Sequence, residues 1–183
     1  EIIKYSTKND IGTTDIQFLL KGAVKDSGVL FLLNNYIGNK TGIRPFGQNF
    51  NFRDSPKTLK EKVDFCKSFI QKKDMPLIIG IGDTITSQKK DDKNSYSRGG
   101  SDRSFLELIQ FLGKEYNNEN LIIFVDSSSG EVFRPSTKKT GLKGITDKED
   151  YLKLDIMFQN GPKEYIEWFI EIANQRYLIK NKE

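Results

Sequence analysis

The sequence predicts an α/β fold built on a mainly parallel sheet. Two short, almost wholly apolar runs, PLIIGI at residues 76–81 and LIIFV at residues 121–125, have the composition of parallel strands that are buried on both faces. Segments with apolar residues at helical spacing lie before, between and after these runs. The resulting alternation of strands and helices is typical of a parallel sheet, because each parallel connection needs a crossover element.

The N-terminal part of the chain is predicted to contain two strands and then a helix. Residues 1–6 and 15–20 have strand-like patterns and are separated by a polar turn. Apolar residues at helical spacing predict a helix at residues 25–36. Asp26 or Ser27 could cap its N-terminus, since short polar side chains accept hydrogen bonds from the first amides of a helix.

A loop and a second helix are predicted before the first apolar run. Residues 38–54 are rich in Gly, Asn and Phe, which favours a loop. Ser55 and Pro56 have the residue types preferred at the N-cap and first position of a helix. This helix is predicted to end near Lys72.

The C-terminal half alternates between polar and apolar segments. The very polar stretch at residues 88–100 is predicted to be an exposed loop. Helical patterns follow at residues 102–116 and, at the end of the chain, at residues 162–176. Residues 131–147 show only a weak pattern.

Composition and charge exclude several classes of protein. The 183 residues are 36% hydrophobic and 30% charged, a balance that suits one folded domain with a core. No run approaches the ~20 apolar residues of a membrane span. The net charge of +4 comes from basic residues interleaved with acids, so a nucleic-acid partner is not expected.

The residue types available also limit the chemistry. The sequence has no histidine, which excludes Ser-His-Asp and Cys-His catalysis and His-ligated zinc within these residues. Cys66 is the one cysteine, so no internal disulfide forms and a reducing cytoplasm is expected. Carboxylates, Lys, Arg, hydroxyls and backbone amides remain, and these groups suit Mg²⁺ and phosphate.

Two acidic residues follow the two apolar strands. Ligands of open parallel sheets bind beyond the carboxyl ends of the strands, and Asp83 stands there, directly after PLIIGIG. The preceding Gly82 allows a close approach of the backbone to a ligand. Asp83 is therefore a candidate cation ligand, and the alternative is that it caps the next helix or turn. Asp126 has the same position after LIIFV and is a second candidate.

The segment RGGSDR and a lysine near the N-terminus are further candidates. Paired glycines give a tight loop with available amides, Asp102 can bind a cation, and Arg98 and Arg103 can bind phosphate. The alternative is a plain loop in which Ser101 caps the following helix. Lys25 begins a predicted helix after GAV and could reach an anion over the sheet edge, or it could be an ordinary surface lysine.

These candidates resemble the later motifs of the HAD phosphatases. GAVKDSGVLFLL resembles the third motif of the sugar-phosphatase branch, and PLIIGIGDTITS resembles the fourth, a strand ending in Gly-Asp with a second acid usually four residues on. The resemblance implies that Lys25 contacts phosphate and that Asp83 binds Mg²⁺. Ser87 stands where the second acid is expected, so that acid is assigned to Asp102, after the polar insertion.

Longer strings are similar to the glucosylglycerol-phosphate phosphatase family over nearly the whole chain: GTTDIQFLLKGAVKDSGVLFLLN, MPLIIGIGDTITSQ, RGGSDRSFLELIQFLG and VDSSSGEV. The similarity implies a HAD-like, Rossmann-type core. It also implies a Mg²⁺-dependent phosphatase that hydrolyses glucosylglycerol 3-phosphate, a small-molecule substrate, to the compatible solute glucosylglycerol, which confers salt tolerance.

The same resemblance divides the chain and assigns further contacts. Residues 1–20 would be the end of a cap domain and its return strands. Residues 21–183 would be the HAD-like core portion, with residues 88–100 as an exposed insertion. The side chains expected to contact substrate or phosphate are Thr84, Ser87, Arg98, Ser101 and Arg103.

The first two motifs of the family do not occur among these residues. The sequence contains no D-x-D-G, whose first Asp is the nucleophile and whose second is the general acid and base. Mg²⁺ offsets the repulsion between phosphate and carboxylate, and Lys25 would stabilise the phosphoryl oxygens. We therefore expect an N-terminally incomplete core that has the electrostatic half of the site and is inactive alone.

Three functions remain open on the sequence. The chain could belong to a glucosylglycerol-phosphate phosphatase, or to a phosphatase of another sugar phosphate, since fold does not fix function. It could also be a non-catalytic binding or regulatory module that has kept the shape of the site. A D-x-D-G in the upstream coding sequence would favour an enzyme.

Overall fold

The structure, a computed structural model, describes residues 24–90, 95–130 and 134–180 and the backbone of two short strands at residues 2–4 and 16–18. In chain order the elements are β1 (Ile2–Lys4), β2 (Ile16–Phe18), α1 (Lys25–Thr41), a 3₁₀ turn (Phe52–Asp54), α2 (Leu59–Phe69), a second 3₁₀ turn (Lys72–Asp74), β3 (Ile79–Gly82), β4 (Thr86–Lys89), β5 (Tyr96–Gly99), α3 (Arg103–Tyr116), β6 (Leu121–Val125), α4 (Thr137–Thr140), β7 (Ile156–Phe158) and α5 (Pro162–Lys180).

Three parallel strands form the central sheet in the order β3, β6, β7. Ile81 lies opposite Ile123, which lies opposite Ile156 on its other side. The predicted α/β class with a parallel sheet is thereby confirmed. Strand β7 was not predicted, because its three residues, of which only Phe158 is buried, are too few for a recognisable apolar run.

Strands β1 and β2 pair antiparallel, with Ile3 opposite Gln17. They lie within the two strands predicted at the start of the chain. Most of the residues assigned to a cap and its return, residues 1–20, lie outside the described part, so this domain boundary stays a prediction.

Helix α1 continues beyond the predicted helix into the predicted loop. It ends at Gly42, which has φ 78°, a left-handed conformation that glycine adopts without a steric penalty. Neither Asp26 nor Ser27 caps it: Val24 occupies the N-cap and makes no side-chain hydrogen bond. Asp26 instead pairs with the buried ammonium of Lys62, at 3.1 Å, which joins α1 to α2.

Helix α2 begins later than the predicted start at Ser55 and Pro56. The Thr58 hydroxyl accepts a hydrogen bond from the Glu61 amide at 3.2 Å, and the Glu61 carboxylate accepts one from the Thr58 amide at 2.9 Å. This reciprocal capping box satisfies two amides that would otherwise lack partners. Because the pair fixes the N-terminus, the assignment of Ser55 as N-cap was wrong.

A β-hairpin replaces the loop that was predicted at residues 88–100. Strands β4 and β5 pair antiparallel, with Ser87 opposite Arg98, and residues 91–94 lie outside the described part. The two strands form a separate two-stranded sheet. Such a ribbon needs no apolar run, and its polar composition therefore favoured a loop in the sequence.

Helix α3 packs directly on β3 through glycines. A Cβ on Gly80 would lie 2.9 Å from the side-chain ends of Leu106 and Ile109. A Cβ on Gly82 would lie 2.8 Å from the Cβ of Asp102. The absence of side chains at Gly80 and Gly82 thus lets the N-terminus of α3 lie against the end of the strand, where Asp83 follows.

The main core lies between the sheet and helices α1, α2 and α3. Its fully buried members are Leu30, Cys66, Leu106, Leu108, Leu112 and Ile145. Burial raises the pKa of the Cys66 thiol to about 12, so this cysteine is an inert core residue. Helix α5 packs on β7 through Tyr165 and Trp168, which contact Phe158.

The outer edge of β3 borders an apolar groove. Among the described residues no strand pairs with this edge. The groove measures about 670 Å³ and lies between β3 and α1. Its exposed apolar side chains include Leu32, Tyr36, Leu77 and Ile79. In the described ranges, no helix has the length and apolar character needed to cross a bilayer.

We expect Thr58→Ala to lower the free energy of unfolding by about 1 kcal/mol, because it removes the side-chain half of the capping box. Ser55→Ala is the matched control and should change it by less than about 0.5 kcal/mol, since the Ser55 hydroxyl donates only to the carbonyl of Pro56 among the described residues. Urea unfolding followed by circular dichroism measures both. A larger effect at Ser55 would contradict this start of α2.

Candidate active site

Asp83 directly follows β3 and presents a half-exposed carboxylate beyond the end of the sheet. The Thr84 hydroxyl donates a hydrogen bond to its Oδ1 at 2.8 Å, and Nη1 of Arg134 lies 3.5 Å from its Oδ2. Partial burial acts to raise the pKa of Asp83, but the Thr84 hydrogen bond and the Arg134 charge outweigh it and lower the pKa. Strand β4, not a helix, follows, so Asp83 is not a helix cap.

Asp102 is buried behind Asp83 and fixes its backbone. Its Oδ2 accepts hydrogen bonds from the amides of Asp83 at 2.8 Å and Thr84 at 2.9 Å. The amide of Asp102 in turn donates to the carbonyl of Thr84 at 3.1 Å. Asp102, not Ser101, occupies the N-cap position of α3, and it makes no side-chain capping bond there. Its carboxylate is therefore committed to the turn after β3.

Lys25 completes the group from the first turn of α1. Its ammonium donates a hydrogen bond to Oδ1 of Asp102, although the two residues are 77 positions apart. The side chain remains 55% exposed, and the ammonium lies 5.9 Å from the centre of the Phe105 ring. The structure thus brings together Lys25, Asp83 and Asp102, and it leaves the positive charge of Lys25 accessible to an anion.

The oxygen atoms that remain available as ligands decide what kind of metal site these residues could form. Both carboxylate oxygens of Asp102 already have donors, whereas Asp83 faces outward. Within the described residues, no three His, Cys, Asp or Glu side chains converge on one point. Mg²⁺ usually takes only one or two carboxylates and completes its shell with water and phosphate. The residues therefore fit Mg²⁺ held directly by Asp83, while Asp102 fixes the backbone beside it. The sequence prediction that Asp83 and Asp102 are both metal ligands stays a prediction.

Arg134 is a member of the site that the sequence did not reveal. Its guanidinium contacts the Thr84 hydroxyl and lies 3.4 Å from the carbonyl oxygen of Asp83. The Ser127 hydroxyl lies 3.5 Å from the same carbonyl. Both residues follow β6, the parallel neighbour of β3, so segments after the two strands meet at one edge. That topology was the only available signal, because residues 131–147 lack a clear pattern.

Two residues that were predicted to contact phosphate face a different carboxylate. Ser87 donates to Asp147, and Arg98 forms a bidentate pair with it, at 2.9 Å from Nε and 2.8 Å from Nη2. The hydrogen bonds from Arg98 hold the pKa of Asp147 well below its usual range. The pairing ties the hairpin to the segment before β7. A role of Ser87 or Arg98 in phosphate binding stays a prediction.

Arg103, also predicted to contact phosphate, is buried in an ion network. Its guanidinium donates to both carboxylate oxygens of Asp150, at 3.1 and 2.6 Å, and to Glu107 at 2.9 Å. Burial acts to lower the pKa of Arg103, but the two acids outweigh it and raise the pKa. Because Arg103 directly follows Asp102, this network holds the start of α3 in place.

Asp126, the second strand-end acid, has a structural role. Its Oδ1 accepts a hydrogen bond from the Ser128 amide at 2.9 Å, and its Oδ2 accepts bonds from the Thr137 amide and hydroxyl at 2.6 and 2.5 Å. Burial opposes ionisation, but these hydrogen bonds outweigh it and lower the pKa of Asp126 to about 2. Asp126 therefore closes the turn after β6 and anchors α4.

Comparison with known proteins gives one family. The family model for glucosylglycerol-phosphate phosphatase matches residues 1–173. The chain is also similar to the glucosylglycerol-phosphate phosphatase of Synechocystis sp. (strain ATCC 27184 / PCC 6803 / Kazusa), with 42% identity over 187 residues. That alignment covers 96% of this chain and 44% of the relative, so the chain spans less than half the relative's length. No solved structure matches the chain significantly.

We expect Asp150→Ala to destabilise the fold by about 3–5 kcal/mol, because it leaves the buried guanidinium of Arg103 without its bidentate partner. Asp64→Ala, which removes an exposed ion pair with Lys60, is the control and should cost less than about 0.5 kcal/mol. Urea unfolding near neutral pH gives both values. Equal costs for the two variants would show that the Arg103 network does not hold α3.

Asp126→Asn should lower the free energy of unfolding by about 2 kcal/mol near neutral pH, because the charged acceptor of three hydrogen bonds is lost. The folded pKa of about 2 lies below the ordinary value of 3.8, so this stabilisation is present above about pH 4 and is lost as the pH falls towards 2. Urea unfolding across this range should show the two proteins converging. A gap that is independent of pH would contradict the role of the charge.

Proposed function

The chain belongs to the glucosylglycerol-phosphate phosphatase family, and on this premise we propose that it forms part of a phosphoric monoester hydrolase acting on glucosylglycerol 3-phosphate. The observation that supports this most is the group formed by Lys25, Asp83 and Asp102 at the carboxyl end of β3. It combines an accessible ammonium with an outward-facing carboxylate, the two charges that a phosphate and its metal ion require.

Each residue of the group has a separate task in the proposed reaction. Lys25 would bind the phosphoryl oxygens and stabilise the negative charge that they carry in the transition state. Asp83 would hold Mg²⁺, which when bound supplies the charge that offsets repulsion between phosphate and an attacking carboxylate. Asp102 would orient both, since it accepts hydrogen bonds from the Lys25 ammonium and the Asp83 amide.

The nucleophile has to come from outside these 183 residues, because the sequence contains no D-x-D-G. The outer edge of β3 offers a place for it. An apolar strand pairing with β3 would cover Leu77 and Ile79, which are 59% and 44% exposed, and would end beside Asp83. An acidic residue at the end of that strand would lie close to Lys25. We accordingly expect the 183-residue chain to show no phosphatase activity by itself.

The proposal also specifies the setting of the reaction. The substrate is a small-molecule sugar phosphate, the metal is Mg²⁺, and the product is a compatible solute that protects cells against salt. The single, buried cysteine suits a reducing cytoplasm. Neither a nucleic acid nor a membrane is required as a partner.

A chimera tests the proposed function. Residues 1–183 replace the matching region of the Synechocystis relative, and release of inorganic phosphate from glucosylglycerol 3-phosphate is measured with and without Mg²⁺. We expect Mg²⁺-dependent turnover. Asp83→Asn should reduce it at least roughly 100-fold because the direct metal ligand is lost, and Lys25→Met should reduce it roughly 100-fold because a charge on the phosphoryl oxygens is lost.

Lys60→Met is the matched control, since Lys60 is exposed and pairs only with the surface residue Asp64. It should leave turnover unchanged. A folded chimera that turns over another sugar phosphate faster would correct the substrate. A folded chimera without any phosphatase activity, or an Asp83→Asn chimera with near-normal turnover, would refute the proposal.

A further inference from the structure

The guanidinium of Arg134 lies where a cation at Asp83 would be held. Its Nη1 is 3.5 Å from Oδ2 of Asp83 and 3.4 Å from the Asp83 carbonyl, and it contacts the Thr84 hydroxyl. These are three oxygen atoms of the kinds that bind hard cations. The positive charge of Arg134 therefore occupies the outward side of the carboxylate that is proposed to bind metal.

Arg134 also has the weakest ion pair of the three arginines near the site. Arg98 and Arg103 each form a bidentate pair with a carboxylate that is at most 4% exposed. Arg134 instead faces Asp83 through one nitrogen at a longer distance, and the Asp83 side chain is 43% exposed. A loose pair of this kind contributes little stability and exchanges readily.

Repulsion between like charges prevents the Arg134 guanidinium and a divalent cation from occupying the outward side of Asp83 at the same time. A divalent cation bound to Oδ2 of Asp83 would lie within a few ångströms of the guanidinium, in a partly buried setting where such repulsion is stronger than in water. Lys25 cannot take the place of Arg134 as counter-ion, since its ammonium is bonded to Asp102. The Arg134 side chain, in contrast, is long and partly exposed and can rotate towards solvent.

We propose that Arg134 is a built-in counter-ion of Asp83 that a divalent metal ion displaces. The proposal rests on the proposed function, in which Asp83 is the metal ligand. In the metal-free protein Arg134 neutralises the outward carboxylate of Asp83. Metal binding releases the guanidinium, and the apparent metal affinity is lowered by the work of displacing it.

Metal titrations of the chimera described above test the displacement, with Mn²⁺ as the probe and the unbound ion followed by electron paramagnetic resonance. The Arg134→Met chimera should bind Mn²⁺ more tightly than the unmodified chimera by a factor of about 3–10, the size expected when one nearby, partly exposed positive charge is removed. Arg53→Met removes an equal charge from an exposed 3₁₀ turn and should leave the affinity unchanged.

Chemical modification tests the position of the guanidinium without relying on affinity. Methylglyoxal modifies accessible arginines, and peptide mass spectrometry gives the rate at Arg134. The rate should rise severalfold when Mn²⁺ is added to the unmodified chimera. In Asp83→Asn it should be high from the start and should not respond to Mn²⁺. The rate at Arg53 is the internal reference.

The outcomes separate this inference from the proposed function. If the Asp83→Asn chimera binds Mn²⁺ as well as the unmodified chimera, or if neither binds millimolar Mn²⁺, Asp83 is not a metal ligand and both ideas fail. If Asp83→Asn loses binding but Arg134→Met binds no more tightly, only the counter-ion is refuted. The counter-ion role would also be refuted if the modification rate at Arg134 changed neither in Asp83→Asn nor on addition of Mn²⁺.

Discussion

The carboxylate of Asp102 is the point on which the site depends. One of its oxygens accepts hydrogen bonds from the amides of Asp83 and Thr84, and the other accepts one from the ammonium of Lys25. A buried carboxylate is stable only when its oxygens have donors, so these three groups must converge on it. Three elements meet as a result: the start of α1, the end of β3 and the start of α3. The outward carboxylate of Asp83 is a consequence of this convergence.

The hairpin between Asp83 and Asp102 is an insertion that leaves the contact between these two residues intact. The two acids are 19 residues apart in the chain, yet Asp102 still bonds to the Asp83 amide. A direct chain connection is not needed, because Arg98 and Arg103 secure the hairpin and the start of α3 to two neighbouring acids, Asp147 and Asp150. The insertion is thus fixed at its base by ion pairs that are largely removed from water.

The sequence predicted the elements whose signal is local and strong. Strand β6 and helix α3 were placed almost to the residue, since an apolar run and a helical period each arise from neighbouring positions. Lys25, Asp83 and Asp102 could be grouped because motif resemblance supplied the long-range link. Arg134 could not, because its partner is distant in the chain and the intervening pattern is weak.

Competition between possible partners explains why other contacts could not be read from the sequence. Arg98 and Arg103 were assigned to phosphate, a role that stays a prediction, but an arginine donates equally well to a protein carboxylate, and the sequence does not say which acceptor is nearer. The same ambiguity concealed the roles of Asp126, which satisfies amides in its own turn, and of Thr58, whose capping partner Glu61 outweighed the Ser55-Pro56 signal.

The charges of the side chains at the end of β3 affect how a metal ion and a phosphate bind together. Two cations, Lys25 and Arg134, face two acids, Asp83 and Asp102, so the site is close to neutral when empty of ligands. A phosphate dianion alone would meet the Asp83 carboxylate, and a divalent cation alone would meet the guanidinium of Arg134. The two ligands together add no net charge, and each offsets the repulsion that opposes the other. Metal and phosphate should therefore favour each other's binding, a coupling set by side chains that this chain itself supplies.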